Sequence, residues 1–275
     1  MTSETWPAPA KINLFLHIVG RRPDGYHELQ TVFQLLEFGD EMQFRPDQGG
    51  QIKLDGNYPG VRLEEDLVFR AASLLKSEAG VSQGVTISIN KRIPMGGGLG
   101  GGSTDAATTL VALNRIWETG LTVTELARLG LGLGADVPVF IHGNSAWAEG
   151  IGEKLVPLEL PEQWFVVIHP GCQVNTSQIF SHPDLTRNSA PITIRDFDMT
   201  HCRNDCEALV YTEFPEVAEA AEWLGQWTQS HLTGTGACIF GGFKSIQSAN
   251  RVFEQLPPKW QGFVSKGINR SPLLE

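Results

Sequence analysis

The stretch Pro94-Met95-Gly96-Gly97-Gly98-Leu99-Gly100-Gly101-Gly102-Ser103-Thr104 decides how the rest of the chain is read. Six of the seven residues from 96 to 102 are glycine, so almost no side chain separates the backbone amides from a bulky anion. An Ala-rich run with helical spacing follows at once, through Ala106, Ala107, Leu110, Leu113 and Trp117. The unpaired amides and dipole of a helix N-terminus favour negative charge. Ser103 and Thr104 add hydroxyls at the helix entrance, suited to phosphate or to phosphate-bound Mg²⁺. Together these features predict a phosphate cradle. A Walker-type loop would end in Gly-Lys-Ser/Thr, and no lysine stands here. Gly96, Gly98 and Gly101 match the G-x-G-x-x-G spacing, but Lys91 to Pro94 separate them from the preceding strand, whereas a dinucleotide fingerprint turns tightly off its strand. A flexible connector is the remaining alternative, and the sharp strand before and the patterned helix after argue against it.

Upstream, Val85, Ile87 and Ile89 alternate as a strand, and Leu67, Val68, Ala71, Leu74 and Leu75 give a helix over Asp66 to Ser77. Near the N-terminus Ala10, Ile12, Leu14, Leu16 and Ile18 are expected on one strand face, with Lys11, Asn13, Phe15 and His17 on the other. A turn at Arg21-Arg22-Pro23-Asp24-Gly25 leads into strand patterns at His27 to Leu36 and Glu41 to Arg45. Downstream, Thr122-Val123-Thr124-Glu125 is a capping box for a further helix. Strand patterns at Ser145 to Glu149 and Trp164 to His169 flank Pro157 and Pro161, which suggests two domains, residues 1–158 and 159–275. The second half shows helices near Asp205 to Tyr211 and Pro215 to Trp227, a strand at Cys238 to Phe243 and a closing helix–strand pair. Without strict βαβ alternation the predicted class is α+β.

The 275 residues carry 21 basic and 31 acidic side chains, a formal net charge of −10, which argues against sequence-independent nucleic-acid binding. One pocket can still gather phosphate, because local amides and a few cations set its sign. Glycine numbers 30, well above the usual ~7%, and clusters in loops. No apolar run of 18 residues exists, so no membrane association is expected, and Met1 to Pro9 lacks the basic start and apolar core of a signal peptide. Four cysteines do not make a disulfide framework, and His201, Cys202 and Cys206 offer too few ligands for a metal centre. A reducing cytoplasm is the expected home.

Four further places carry candidate chemistry. Lys11 and Asn13 stand about 6–7 Å apart on one strand face, which is either solvated or part of a site. Asp136, in Gly134-Ala135-Asp136-Val137-Pro138, is either a helix cap, the reading local sequence favours, or a partly buried functional acid. Tyr26-His27 offers a ring and an imidazole for stacking or for packing. Leu232-Thr233-Gly234-Thr235-Gly236 reads as a backbone-approach loop or as a plain turn.

In this order the pieces resemble the kinase superfamily of galactokinase, homoserine kinase, mevalonate kinase and phosphomevalonate kinase. Within it they are similar to the 4-diphosphocytidyl-2-C-methyl-D-erythritol kinase family. The matching stretches are Pro9-Ala10-Lys11-Ile12-Asn13-Leu14, Gly20-Arg21-Arg22-Pro23-Asp24-Gly25-Tyr26-His27, Gly97 to Ala107, Gly134 to Pro138, Asn204-Asp205 and Leu232 to Gly236. The resemblance covers residues 7 to 272. It implies a two-domain kinase fold, with a nucleotide-binding N-terminal half and a ferredoxin-like, substrate-binding C-terminal half. It further implies ATP as co-substrate with Mg²⁺, small-molecule partners only, and a monomer or homodimer. The implied reaction phosphorylates the 2-hydroxyl of the diphosphocytidyl erythritol, a step of non-mevalonate isoprenoid biosynthesis. By the same likeness Asp136 would accept the hydroxyl proton, with Lys11 beside it. Asn13, Tyr26, His27, Thr176 and Phe180 would bind that substrate, Tyr26 and Phe180 sandwiching the cytosine. Lys91 and residues 94–104, namely Pro94, Met95, Gly96, Gly97, Gly98, Leu99, Gly100, Gly101, Gly102, Ser103 and Thr104, would hold ATP. Where relatives have Glu-Asp-Asn-Leu near the adenine, this chain has Glu64-Glu65-Asp66-Leu67, and an aspartate cannot donate as an asparagine amide does. Asp66 is expected to cap a helix instead. Two rivals are another kinase of the superfamily and a non-catalytic nucleotide-binding module; the stacking pair speaks against the first, and the presence of both Lys11 and Asp136 against the second.

Overall fold

The computed structural model describes residues 4–56, 62–198 and 203–274. The first half runs β1 (Thr5–Arg21), β2 (His27–Asp47), β3 (Ile52–Asp55), α1 (Leu67–Glu78), β4 (Gly84–Asn90), α2 (Gly101–Ile116), α3 (Val123–Leu131), α4 (Val137–His142), β5 (Ala146–Gly150) and β6 (Lys154–Pro157). Then come β7 (Trp164–His169), α5 (Thr176–Ser181), α6 (Glu207–Glu213), α7 (Pro215–Gly225), β8 (Ser230–Leu232), β9 (Ile239–Phe243), α8 (Ile246–Phe253) and β10 (Gln261–Ile268). Helices and sheet are mixed, and β3–β4 is the one parallel ladder among the named strands. The sheet follows β3-β4-β2-β10-β7-β9-β8, with β1 and β5 also pairing with β2. The strand β2 is therefore the spine. It is continuous where the sequence predicts two strands, because Gly39 lets the backbones meet: a Cβ there would lie 2.3 Å from the Ala8 carbonyl oxygen.

Three irregularities interrupt the β1–β2 ladder, and the first two decide which way its polar side chains point. Pro9 pairs with Gly39 but Lys11 with Leu35, so β2 bulges there, and the Lys11 amide donates instead to the Leu99 carbonyl at 3.0 Å. Asn13 pairs with Phe33 but Leu16 with Thr31, so β1 bulges at Leu14-Phe15 and its alternation reverses. The predicted single face is accordingly split. Ala10, Ile12, Leu14 and Phe15 pack in one buried cluster with Phe165 and Phe240, while Leu16 and Ile18 join another with Val210 and Leu224. A third cluster seats α1 to α4 on β2, β4 and β5 through Leu75, Leu110, Phe140 and Ile87. Each such fully buried side chain contributes about 1.5–3 kcal/mol.

Local chemistry sets the helix ends. The Asp66 carboxylate accepts from Val68 N at 2.8 Å and Phe69 N at 3.2 Å, so it caps α1 as expected. Thr122 and Glu125 form the predicted reciprocal cap of α3. The helix α2 starts earlier than the sequence suggests, at Gly101, with Gly100 left-handed at its N-cap. Short β3, β6 and β8 were outside the sequence expectation, since runs of three or four residues show no readable alternation. No helix among the described residues is long and apolar enough to cross a membrane. His201 and Cys202 of the candidate metal trio lie outside the described residues; Cys206 is buried.

Candidate functional site

The glycine loop is pinned by its carbonyls and presents its amides. Ala237 N and Cys238 N donate to the Gly96 and Gly97 carbonyls at 3.1 Å each, and Thr233 Oγ1 donates to that of Gly98 at 3.1 Å. The amides of Gly98, Leu99, Gly100, Gly101 and Gly102 meet no acceptor among the described residues. They edge a cavity of about 350 Å³ lined by residues 94–102 with Lys91, Asp66 and Asp105. The glycines are required by space as well as by conformation: Gly98 has φ +74°, and a Cβ on it would sit 2.2 Å from the Thr233 carbonyl oxygen. Free amides at a helix N-terminus favour an oxyanion ligand.

Beside this cavity lies a buried cation. Lys11 is 3% exposed, and its ammonium donates to Asn13 Oδ1 at 2.6 Å and the Gly98 carbonyl at 3.0 Å, with Asp136 Oδ2 3.2 Å away. Two of its three N–H donors are spent on those acceptors, and Asp136 stands beside it as an ion pair without a hydrogen bond. The solvated-face alternative for Lys11 and Asn13 is thus excluded. Asp136 occupies the N-cap position of α4, but its carboxylate makes no cap bond, which overturns the cap reading. Buried Val137 and Phe140 anchor α4, and the 32%-exposed Asp136 side chain meets Lys11 at the wall of a cavity of about 290 Å³. Asn13 is fixed by Thr31 Oγ1 at 3.0 Å, and Ser103 and Thr176 line the same space.

A third cavity, about 560 Å³, continues outward between the β1–β2 turn and α5. Tyr26, His27, Thr176 and Phe180 line it together with Arg21. His27, rather than Tyr26, stacks on Phe180, with centroids 5.2 Å apart and planes at 24°; Tyr26 is 59% exposed at the rim. Gly98 is common to the first two cavities, and Leu29, Ala135, Ile151, Thr176 and Phe180 are common to the second and third. The three form one line with Lys11 and Asp136 in the middle.

The GHMP kinases N terminal domain family matches residues 66–144, which hold the glycine loop and Asp136. A 4-diphosphocytidyl-2-C-methyl-D-erythritol kinase of Alkalilimnicola ehrlichii is 53% identical over 272 residues, 99% of this chain and 94% of that one. One of Nitrosococcus oceani is 54% identical over 270 residues, 98% of this chain and 96% of that one. The chain belongs to this kinase family. A crystal structure of a 4-(cytidine 5'-diphospho)-2C-methyl-D-erythritol kinase superposes with TM-score 0.85 at 33% identity, covering 97% of this chain and 100% of that one. The Methanococcus jannaschii mevalonate kinase shares the fold, with TM-score 0.72 at 15% identity over 98% of this chain and 99% of that one.

Two residues of the kinase sit differently from the sequence expectation. Thr104 is wholly buried on the core side of α2 and lines none of these cavities, so its hydroxyl is not at the cradle; one step of ~100° around the helix separates it from Ser103. Lys91 does line the glycine-loop cavity, but its ammonium is held by Asp40 and by Asp105 Oδ2 at 2.7 Å. Burial alone would lower the Lys91 pKa, yet the two carboxylates outweigh it and the net shift is upward. Asp105 is pushed up to about 7, by burial first and by the Asp40 charge, against the pull of Lys91. Folded Asp105 therefore binds its proton more tightly than the unfolded chain does, and the stability it contributes is lost as pH rises from about 4 to about 7. In Asp105→Asn that slope, on the order of a few kcal/mol, should flatten; an unfolding midpoint that falls equally in both proteins between pH 5 and 8 contradicts this.

Sequence reasoning left four contributors without a role. Thr233 bonds both the Asn13 amide, at 3.0 Å, and the Gly98 carbonyl, which settles the Leu232 to Gly236 stretch as a backbone-approach loop. Asn204 holds that loop by donating to Leu232 and Gly234 carbonyls at 2.9 and 2.7 Å, and Asp205 accepts from Ile18 N at 2.7 Å. Arg187 bonds His27 at 3.1 Å. The glycine cluster around Thr233 and the Asn204-Asp205 pair carried a sequence signal; Arg187 carried none.

Proposed function

We propose that the kinase transfers the terminal phosphoryl group of ATP to the 2-hydroxyl of 4-diphosphocytidyl-2-C-methyl-D-erythritol, a step of non-mevalonate isoprenoid precursor synthesis. The supporting observation is the line of three cavities, amide cradle to Lys11–Asp136 to aromatic slot, since a nucleotide and a cytidine diphospho-alcohol need those three environments in that order. Phosphoryl transfer depends mainly on positioning and on neutralising charge at the equatorial oxygens. In this reading the amides of Gly98 to Gly102 grip the β- and γ-phosphates, with Pro94, Met95, Gly96 and Gly97 shaping the wall. The Ser103 hydroxyl at the loop's end would help hold Mg²⁺, which would supply charge neutralisation. Asp136 accepts the hydroxyl proton. Lys11 donates only to Asn13 and the Gly98 carbonyl and is ion-paired with the more exposed Asp136, so its third donor is left for the transferring group. Asn13 and Thr176 border the alcohol, and Tyr26, His27 and Phe180 recognise the pyrimidine.

The order β10-β7-β9-β8, reached through β7, helices, β8, β9, α8 and β10, supports a ferredoxin-like substrate half over residues 159–275, beside a nucleotide half over 1–158. The protein works on small molecules in the cytoplasm, as a monomer or homodimer. The direct assay is ATP consumption against diphosphocytidyl methylerythritol, mevalonate, homoserine and galactose; turnover only with the first is expected, and preference for any other would overturn the reading. Stacking on an aromatic ring is worth about 1–3 kcal/mol per base, so Phe180→Ala should raise the KM for the cytidine substrate roughly 5- to 150-fold and leave that for ATP unchanged. Equal changes in both constants would remove Phe180 from the slot.

A further inference from the structure

Arg187 follows α5 and spends its guanidinium entirely on neutral acceptors. Nη2 donates to the Phe180 carbonyl at 2.9 Å and to the His182 carbonyl at 2.6 Å, Nη1 to the Leu185 carbonyl at 3.0 Å, and Nε to His27 Nε2 at 3.1 Å. No carboxylate pairs with it among the described residues. The first three bonds close the end of α5, a job that carbonyl geometry alone explains. The fourth does not belong to that job: it reaches across to the first residue of β2 and ties the imidazole to the same backbone that carries Phe180.

We infer that Arg187 is a positioning residue of the pyrimidine slot, which fixes His27 as the neutral Nδ1–H tautomer and sets Phe180 at its stacking height. The chemistry is direct. Arginine has donors only, so His27 Nε2 must offer a lone pair and the ring proton must reside on Nδ1. An Nδ1–H is a donor, which suits a pyrimidine edge carrying carbonyl and ring-nitrogen acceptors; the other tautomer would oppose acceptor to acceptor. The inference rests on the cytidine reading of the slot.

The surroundings act the same way. Arg21 pairs with His27 across the β1–β2 ladder, Asp24 in the turn is occupied by the Tyr26 amide and Arg22, and His182 and Asp184 lie in the segment between α5 and Arg187. Burial first, then Arg187, then Arg21 lower the His27 pKa from its usual value, so the neutral ring persists below the ordinary imidazole range.

The test compares wild type with Arg187→Gln and Arg187→Lys. Long-range ¹H–¹⁵N spectra of the free protein should show His27 as Nδ1–H in wild type and as a mixture titrating nearer the ordinary range in Arg187→Gln. The KM for the cytidine substrate should rise about tenfold, the size of one lost charge-assisted hydrogen bond, and further as pH falls toward 6. The kcat and the KM for ATP should stay within twofold. Lysine keeps the charge but not the fork, so Arg187→Lys should restore neither tautomer nor KM. An unchanged His27 tautomer and titration in Arg187→Gln overturns the inference, as does a joint fall of kcat with both KM values, the mark of a purely structural role. The imidazole spectrum needs no substrate, so it stands or fails separately from the choice of alcohol.

Discussion

Replacing Asp136 by asparagine should lower kcat by about 10²–10⁴-fold, the usual weight of a general base, while the KM for ATP changes only a few-fold. The change is nearly isosteric, and the carboxylate caps nothing in α4, so the helix has no reason to move. What is lost is a proton acceptor and the counter-charge of Lys11, whose ammonium is then left among neutral acceptors. Some stability should go with it, because an unpaired buried cation is costly. The nucleotide amides are untouched, which is why ATP affinity is the internal control. Near-normal turnover in this variant would assign Asp136 to positioning alone.

A comparable loss is expected from one methyl group. At Gly98 a Cβ would lie 2.2 Å from the Thr233 carbonyl oxygen and 3.1 Å from that of Gly236, on a backbone at φ +74°. The left-handed conformation costs about 1–2 kcal/mol for an L side chain, and the clash is with backbone that other bonds hold in place. Gly98→Ala must therefore push the loop off Thr233. Since Lys11 Nζ donates to the Gly98 carbonyl, the cation shifts with it. Misplacement by ~1 Å can cost about 10²-fold in rate, and the cradle amides lose register as well, so both kcat and the KM for ATP should worsen. Gly225→Ala is the control: Gly225 lines none of the three cavities, and its Cβ would meet only Ser230 Oγ, at 3.7 Å, at the end of α7. Wild-type kinetics in Gly98→Ala would contradict the cradle geometry.

The Asp66 cap and the Thr122–Glu125 box were legible because each is closed by neighbours in the chain, and the loop because its run of glycines is itself the signal. Asp136 was legible only through the family likeness, since a cap and an acid look alike locally and its ion-pair partner, Lys11, lies in the first strand. The β1 bulge was equally hidden: strict alternation from Ala10 to Ile18 reads as one face, and only pairing with β2 reveals the reversal after Asn13. Thr104 shows the limit of reading hydroxyls in tandem, because adjacent helical positions face different ways. Arg187 had no sequence signature at all; its role is made by the fold.

Where the terminal phosphate rests decides the mechanism. A crystal structure of the kinase with a non-hydrolysable ATP analogue and the cytidine alcohol should show the γ-phosphorus against the amides of Gly98 to Gly102, within hydrogen-bonding reach of Lys11 Nζ through its oxygens, and the acceptor hydroxyl on Asp136. A γ-phosphate held elsewhere, out of reach of Lys11 and Asp136, would contradict it.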